Sequence, residues 1–328
     1  MEDYIKSLIK RFDYIQQQRD NWDTHYQELG DYMLPRKADI VKKRSRGEKR
    51  MEQIYDGTAL QAVDLLSASL HGMLTSGASP WFHLDVKDTE INSDDDVREW
   101  LQDTSMRMMR AFNQSNFETE VHEMYVDLVV FGTGCMFIEM DKGKLRCSTR
   151  HISEFYVQED QHGIVDTVFR KYNLSAVAAV QTFGMENVSE YIKKIYEKKP
   201  DEQVEVLHCV TPRIERDIRK VDNLNMPFMS VYICMQTKMK MAEGGFEELP
   251  YVVPRFLKAT GEVMGRSPAM VALPDVKMLN LMSKTIIQAA QKMIDPPLLV
   301  PDDGFLLPIR TQPGGLNFYR AGSRDTIT

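Results

Sequence analysis

The chain has 328 residues, 43% of them hydrophobic, enough to bury a sizeable core in about two domains. Its net charge of −7 excludes a protein that coats nucleic acid through bulk attraction, so any contact with DNA is expected to be local and weak. Cys135, Cys147, Cys209 and Cys234 are widely spaced and form no CxxC pair, which argues against a zinc ribbon or disulfide framework and for reduced, structural thiols.

Ile5, Leu8, Phe12, Ile15, Trp22, Tyr26, Leu29 and Met33 share one helical stripe, broken only by Arg19, and Pro35 ends it. Charges throughout residues 1–20 fit such a helix and not a secretory signal. Residues 36–50 (RKADIVKKRSRGEKR) hold eight basic and two acidic side chains and read as a flexible basic loop. A solvated arm is the simpler account of it. Contact with DNA or an acidic neighbouring chain is the sharper one, through Arg36, Lys37, Lys42, Lys43, Arg44 and Arg46.

Leu60, Val63, Leu66, Leu70 and Leu74 mark a second helix over 58–74, and Ala62, Ala68 and Ser69 permit close packing. Gly77, Ser79 and Pro80 then turn the chain into Trp81-Phe82-His83-Leu84, expected as a short strand. The uncharged run 65–84 is too polar and interrupted for a membrane span, and no membrane partner is expected. Ser93 with Asp96 makes a capping box, and the carboxylates of Asp94, Asp95 and Asp96 suit the positive end of the helix that follows better than they suit a metal. Apolar stripes predict helices over 97–112 and 117–131.

Gly132-Thr133-Gly134 follows a helix instead of a strand, so it reads as a helix stop and not as a dinucleotide loop. Beyond it the period shortens. Extended runs at 135–140, 144–148, 155–158 and 164–172, with turns at 141–143 and 160–163, predict antiparallel hairpins. Helices are expected at 175–182 and 188–198, and extended segments at 204–210, 229–235 and 251–257. A loop containing Gly244-Gly245 separates the last two.

The longest helical pattern of the second half begins at Gly265-Arg266-Ser267-Pro268, where Ser267 can cap the next turn and Pro268 loses nothing by lacking an N–H. Pro274 is expected to kink or restart it. Val276, Leu279, Met282, Ile286, Ala290 and Met293 then recur at helical spacing until Asp295-Pro296-Pro297 stops it. The other face carries Lys277, Asn280, Lys284, Gln288, Gln291 and Lys292, with no acidic residue from 276 to 294. An ordinary solvated face explains that row, and so does the wall of a passage for a polyanion.

Catalytic and cofactor motifs are missing from the sequence. His122-Glu123 lacks its second histidine, since Val126 stands one turn on, and neither a phosphate-binding loop nor a nucleophile elbow occurs. His208 and Cys209 point to opposite faces if they lie in a strand.

Four stretches together resemble the portal, or head-to-tail connector, proteins of short-tailed bacteriophages: 59–84 (ALQAVDLLSASLHGMLTSGASPWFHL), 117–140 (FETEVHEMYVDLVVFGTGCMFIEM), 153–169 (SEFYVQEDQHGIVDTVF) and 252–270 (VVPRFLKATGEVMGRSPAM). The resemblance implies an α+β portal fold, with a helix-rich wing containing antiparallel β segments over 1–264, a stem helix over 265–297 and the start of a small α/β clip over 298–328. It also implies a dodecameric ring at one capsid vertex with no enzymatic activity and no cofactor or metal. Such a ring conducts double-stranded DNA without sequence preference during packaging and ejection. Its expected partners are terminase, tail adaptor, capsid and scaffold proteins, in the host cytoplasm during assembly and then in the virion. Family members continue past the clip with a second stem helix, tunnel loop and crown, so the chain reads as incomplete at 328. The alternative is a metal-dependent nuclease or hydrolase acting on phage DNA, built from scattered residues such as Asp94, Asp95 and His122.

Overall fold

The computed structural model describes residues 2–45, 47–88, 91, 94–217, 219–220 and 222–294. Helix α1 (Glu2–Met33) ends as its stripe predicts, and a 3-10 turn follows at Pro35–Lys37. Arg19, the break in that stripe, is buried and holds the helix to the sheet beneath. Its guanidinium donates to Ile152 O at 2.9 Å and to Phe155 O, lies 3.9 Å from the centre of the Tyr156 ring, and pairs with Asp23 at 2.8 Å. An interruption of the apolar pattern thus marks a buried charge that is paired and bonded to the backbone.

Helices α2 (Thr58–Leu74), α3 (Asp95–Gln114) and α4 (Phe117–Phe131) agree with the predicted spans. The cap of α3 differs in detail: Asp94 accepts the N–H of Asp96 at 2.9 Å, while Ser93 lies outside the described residues. Asp95 and Asp96 do sit in the positive first turn. Residues 81–84 belong to no sheet. Trp81 and Phe82 instead pack with Phe112 and Phe117, the Trp81 and Phe117 rings stacking at 5.9 Å.

Strands β1 (Met136–Asp141), β2 (Lys144–Thr149) and β8 (Tyr251–Val252) form one antiparallel sheet in the order β2-β1-β8. Lys142 and Gly143, at φ 50° and 77°, make the two-residue turn between β1 and β2. A second sheet is an antiparallel meander of β3 (Phe155–Glu159), β4 (Val165–Ser175), β5 (Gln203–Pro212), β6 (Phe228–Cys234) and β7 (Met239–Phe246). β7 corrects the expected Gly244-Gly245 loop. Its composition is poor in β-branched residues, but β6 offers a ladder, and a side chain at Gly245 would come within 2.5 Å of Asn223 O. The strand expected over 251–257 is cut to two residues, because Pro254 has no N–H to continue it; isolated bridges at Arg255 and Leu257 replace the ladder.

Helices α5 (Ala176–Phe183) and α6 (Glu190–Lys198) are capped by Ser175 and Ser189 and cover Val204, Val206 and Cys234 on one face of the meander. The first half of α1 covers Leu207, Cys209, Val231 and Ile233 on the other. The main core joins Tyr26 and Leu29 of α1, Val63 of α2, Val126, Val130 and Phe131 of α4, and Phe155, Val168 and Tyr251 of the strands. All four cysteines are free and buried. No helix among the described residues is long and apolar enough to cross a membrane.

Alternation in β5 does put His208 on the face opposite Cys209, where it links the two sheets. Its ring hydrogen-bonds Tyr251 Oη of β8 and Ser230 Oγ of β6, both at 2.9 Å, and stacks on Tyr232 at 4.1 Å. Burial, assisted by the charges of Arg170 and Arg150, lowers its pKa from 6.5 to about 3. Between those values the unfolded chain takes up a proton that the folded one refuses, so stability falls as pH falls through this window. At about pH 4.5 the loss from this one group amounts to about 3 kcal/mol. Denaturant titrations from neutral pH downward are expected to show this slope, and His208→Gln is expected to flatten it.

The chain divides into two compact units, Met1–Val276 and Lys277–Thr328. Helix α7 (Pro268–Ile294) contributes its first turns to one and the remainder to the other.

Candidate assembly and conduit surface

The start of α7 is fixed by a clasp between two glycine-containing segments far apart in sequence. Gly132 ends α4 in the left-handed conformation, φ 78°, as the predicted helix stop requires. Its carbonyl accepts the N–H of Phe256 at 2.9 Å, and the next residue, Thr133, accepts the N–H of Gly265 on Oγ1 at 2.8 Å. Ser267 then caps α7 as predicted, accepting the Met270 N–H at 3.0 Å, while its hydroxyl donates to Val130 O at 2.8 Å. The two backbones nearly touch. A Cβ on Gly132 would lie 2.4 Å from Gly265 O, and a Cβ on Gly265 would lie 2.2 Å from Gly132 O. Arg266 stacks over Trp22 at 4.6 Å and pairs with Glu262, and Pro268 occupies the first helical position.

Helix α7 runs unbroken through Pro274, where a kink or restart was expected. The proline removes one N–H bond, but the other turns keep theirs and the apolar residues Ala269 and Leu273 anchor that stretch in the main core. Its 27 residues span about 40 Å at 1.5 Å each. The stop expected at Asp295-Pro296-Pro297 and the clip expected over 298–328 lie outside the described residues.

Val276 packs against the main core, but the rest of the predicted apolar stripe is exposed among the described residues: Leu279, Met282, Ile286, Ala290 and Met293 are all uncovered by them. Val271, Met278, Met282, Ile286 and Met293 lie within an arc of about 80° on the helix, interrupted by the exposed Asp275. Their exposure runs from 53% at Met282 to 83% at Met293. Across the helix, Lys277, Asn280, Lys284, Gln288, Gln291 and Lys292 fall within about 120°, interrupted by the exposed Leu281. Lys277, Gln288, Gln291 and Lys292 are exposed, Lys284 is half-buried and Asn280 is buried at 9%.

The basic loop is not a free arm. Gln27 of α1 accepts the backbone N–H groups of Ile40, Val41 and Lys42 and donates to Ala38 O. Arg36 pairs with Glu123 at 3.0 Å, Lys37 with Glu123 at 2.9 Å and with Asp127 at 2.8 Å, and Arg44 with Asp31 at 3.0 Å. Lys42 stands 3.9 Å from Asp31, and Arg50 pairs with Asp39. Lys43 is exposed, and Arg46 lies outside the described residues. These acid partners escaped sequence reading, although one signal was present: Asp127 is the lone charge in the apolar run of α4 and is buried at 1%.

Asp94, Asp95 and His122, the residues of the nuclease alternative, are not gathered into one site. Asp94 caps α3, whereas the ring of His122 on α4 lies 5.6 Å from that of His71 on α2. Among the described residues no group of three or more His, Cys, Asp or Glu side chains is placed to hold a metal ion.

A family model described as bacteriophage head to tail connecting protein matches residues 5–328. A "Probable portal protein" of Bordetella phage BPP-1 is 32% identical over 324 residues, which is 97% of this chain and 58% of that protein. The "Portal protein" of Salmonella phage epsilon15 is 33% identical over 300 residues, 90% of this chain and 54% of that one. The chain therefore spans somewhat more than half the length of these curated relatives. A match across nearly every residue, on an α+β fold with a capped helix at 268–294, makes the chain a member of the bacteriophage head-to-tail connecting protein family.

Proposed function

We propose that this chain is a portal subunit, a structural and non-enzymatic protein that assembles as a ring at one capsid vertex. The genome is packaged and ejected through that ring. One observation carries the reading: beyond Asp275, α7 turns Met278, Met282, Ile286 and Met293 to one side, and the described residues leave them in water. Burying such side chains is favourable by about 25 cal/mol per Å². A neighbouring α7 that covers the stripe from a different side makes a heterologous contact, which closes a ring when repeated around an axis.

In this ring the exposed members of the row, Lys277, Gln288, Gln291 and Lys292, line the passage with the half-buried Lys284 among them, while the buried Asn280 does not. Its modest charge suits DNA that must slide, since a wall exchanging many counterions for phosphates would hold the duplex back. The basic loop, tied to its own subunit by Arg36, Lys37 and Arg44, presents Lys42 and Lys43 to DNA or to a neighbouring copy. Residues 1–264 form the wing, 265–297 the stem and 298–328 the beginning of the clip. A dodecamer is the proposed assembly, with terminase, tail adaptor, capsid and scaffold proteins as partners, in the host cytoplasm during assembly and afterwards at the virion vertex.

Two experiments test this reading. Replacing Lys277, Lys284 and Lys292 together by Gln is expected to leave fold and ring intact and to change how much DNA is packaged or retained. Loss of soluble protein in that variant would instead give the lysines a structural role. Incubation of the protein with plasmid and magnesium or manganese is expected to leave the DNA uncut, and cleavage would overturn the non-enzymatic reading.

A further inference from the structure

Arginines that leave the surface of this chain are, with one exception, paired. Among the described residues Arg19, Arg44, Arg50, Arg170, Arg213 and Arg255 are buried or half-buried, and each meets an aspartate or glutamate. Arg150 does not. It follows β2 and is half-buried, and its Nε is shut off from solvent without an acceptor. Its guanidinium makes no hydrogen bond or ion pair with any described residue.

Around Arg150 stand a second cation and several aromatic rings. Its N–H donates to Cys135 O at 2.7 Å, and its guanidinium lies 5.6 Å from the centre of the Phe137 ring of β1. Phe137 in turn lies 6.1 Å from His208, where the small sheet meets the meander. Arg170 of β4, His208 of β5 and Tyr232 of β6 are register partners in one row, and Tyr172 shares their face two residues along β4. Arg170 covers the Tyr172 ring at 3.9 Å. The two guanidiniums are close enough that burial first, and then the charge of Arg170, lowers the pKa of Arg150. Glu154 also acts on Arg150, but its carboxylate already accepts Nε and Nη2 of Arg170 at 3.0 and 2.9 Å. Glu139 of β1 acts on Tyr232, yet it is exposed and bonded to neither arginine. The hydroxyls of Tyr172 and Tyr232, half-buried within the field of both arginines, have no hydrogen-bond partner among the described residues.

Two arginines with one engaged carboxylate leave a half-buried positive charge over, and such a charge is costly without a partner. An unfilled guanidinium fork and phenol hydroxyls are the donors that take up the oxygens of a carboxylate or phosphate. We infer that Arg150, flanked by Arg170, Tyr172 and Tyr232, is a binding site for one oxyanion, a carboxylate or phosphate group supplied from outside the chain. Arg150 offers the free fork, Arg170 adds its field, and the tyrosine hydroxyls complete the donor set. The inference does not rest on the ring reading, because a single chain holds every residue of the site.

Calorimetric titration of the complete protein in its unassembled form tests it, with inorganic phosphate in one series and acetate in another, at constant ionic strength. Saturable binding of at least one of the two anions is expected. Arg150→Gln is expected to weaken it at least about tenfold, and Arg150→Lys, which keeps the charge and loses the fork, to weaken it less. Arg110→Gln, at an exposed arginine, is expected to leave it unchanged. Tyr172→Phe keeps the ring beneath Arg170 and removes only a donor, so its weaker binding carries the test should the Arg150 variants fail to fold; circular dichroism reports the fold of each. Repeating the titration on assembled rings separates the sources of the anion. Rings that bind phosphate as the single chain does take a free anion, and rings that no longer bind it have the site filled by an acidic side chain of a neighbouring copy. Absence of binding by the single chain, or binding that Arg150→Gln and Tyr172→Phe leave unchanged, overturns the inference. A protein that binds the anion but forms no ring overturns the ring reading alone.

Discussion

Alanine at Gly132 is expected to lower the unfolding free energy by about 4 kcal/mol, through two separable effects. The left-handed φ of 78° is one, worth about 1–2 kcal/mol for a residue with a Cβ. Contact is the other. The added methyl would stand 2.4 Å from Gly265 O and 2.8 Å from the Arg266 carbonyl carbon, and both are backbone atoms that cannot swing aside. Relief requires the end of α4 and the start of α7 to part, which loosens the bonds of Phe256, Gly265 and Ser267 across the clasp. Each such hydrogen bond contributes about 1 kcal/mol.

Gly143→Ala separates the two effects. Gly143 has a φ of 77°, but a Cβ there would meet nothing within 4 Å, so its loss should be confined to about 1–2 kcal/mol. Urea denaturation of both variants measures the difference. Equal losses at 132 and 143 would mean that the close approach to Gly265 contributes nothing. Gly265→Ala is expected to behave like Gly132→Ala, because its methyl would lie 2.2 Å from Gly132 O.

The second large effect is expected at Lys37. Lys37→Met leaves the buried Asp127 carboxylate without the ammonium 2.8 Å away, and removing one partner of a buried pair costs about 3–5 kcal/mol at neutral pH. Burial already holds the Asp127 carboxyl above its ordinary range against the opposing pull of Lys37, and the substitution raises it further. The folded variant therefore takes up a proton at a higher pH than the unfolded chain, whose aspartates titrate at about 3.9. Its deficit against the parent protein is greatest above the raised pKa and shrinks as pH falls through it. Asp127→Asn in the Lys37→Met background is expected to recover part of the loss at neutral pH. Lys42→Met, which removes only an exposed group 3.9 Å from Asp31, should stay within about 0.5 kcal/mol.

These two sites also show where sequence reasoning reaches and where it stops. Helix spans such as Thr58–Leu74 and Phe117–Phe131 follow from local periodicity, and Ser267 and Gly132 follow from the few residues on either side. That Gly132 meets Gly265, or Lys37 meets Asp127, depends on contacts between distant segments, which no local pattern encodes. β7 was hidden for a related reason: Gly244-Gly245 suits a loop by composition, and only the ladder offered by β6 makes it a strand. The basic loop misled because charge density was visible while its acidic partners were spread over α1 and α4. Within α7 the alternation of faces was legible, and the exposure of the apolar one was not.

The account depends on the stripe at Val271, Met278, Met282, Ile286 and Met293 meeting a neighbouring copy around a central passage. Class-averaged electron micrographs of the complete purified protein, with its native mass, test this most directly. Closed rings of about twelve subunits with a central hole are the expected result. A complete protein that stays monomeric, or that associates without a closed ring, would contradict it.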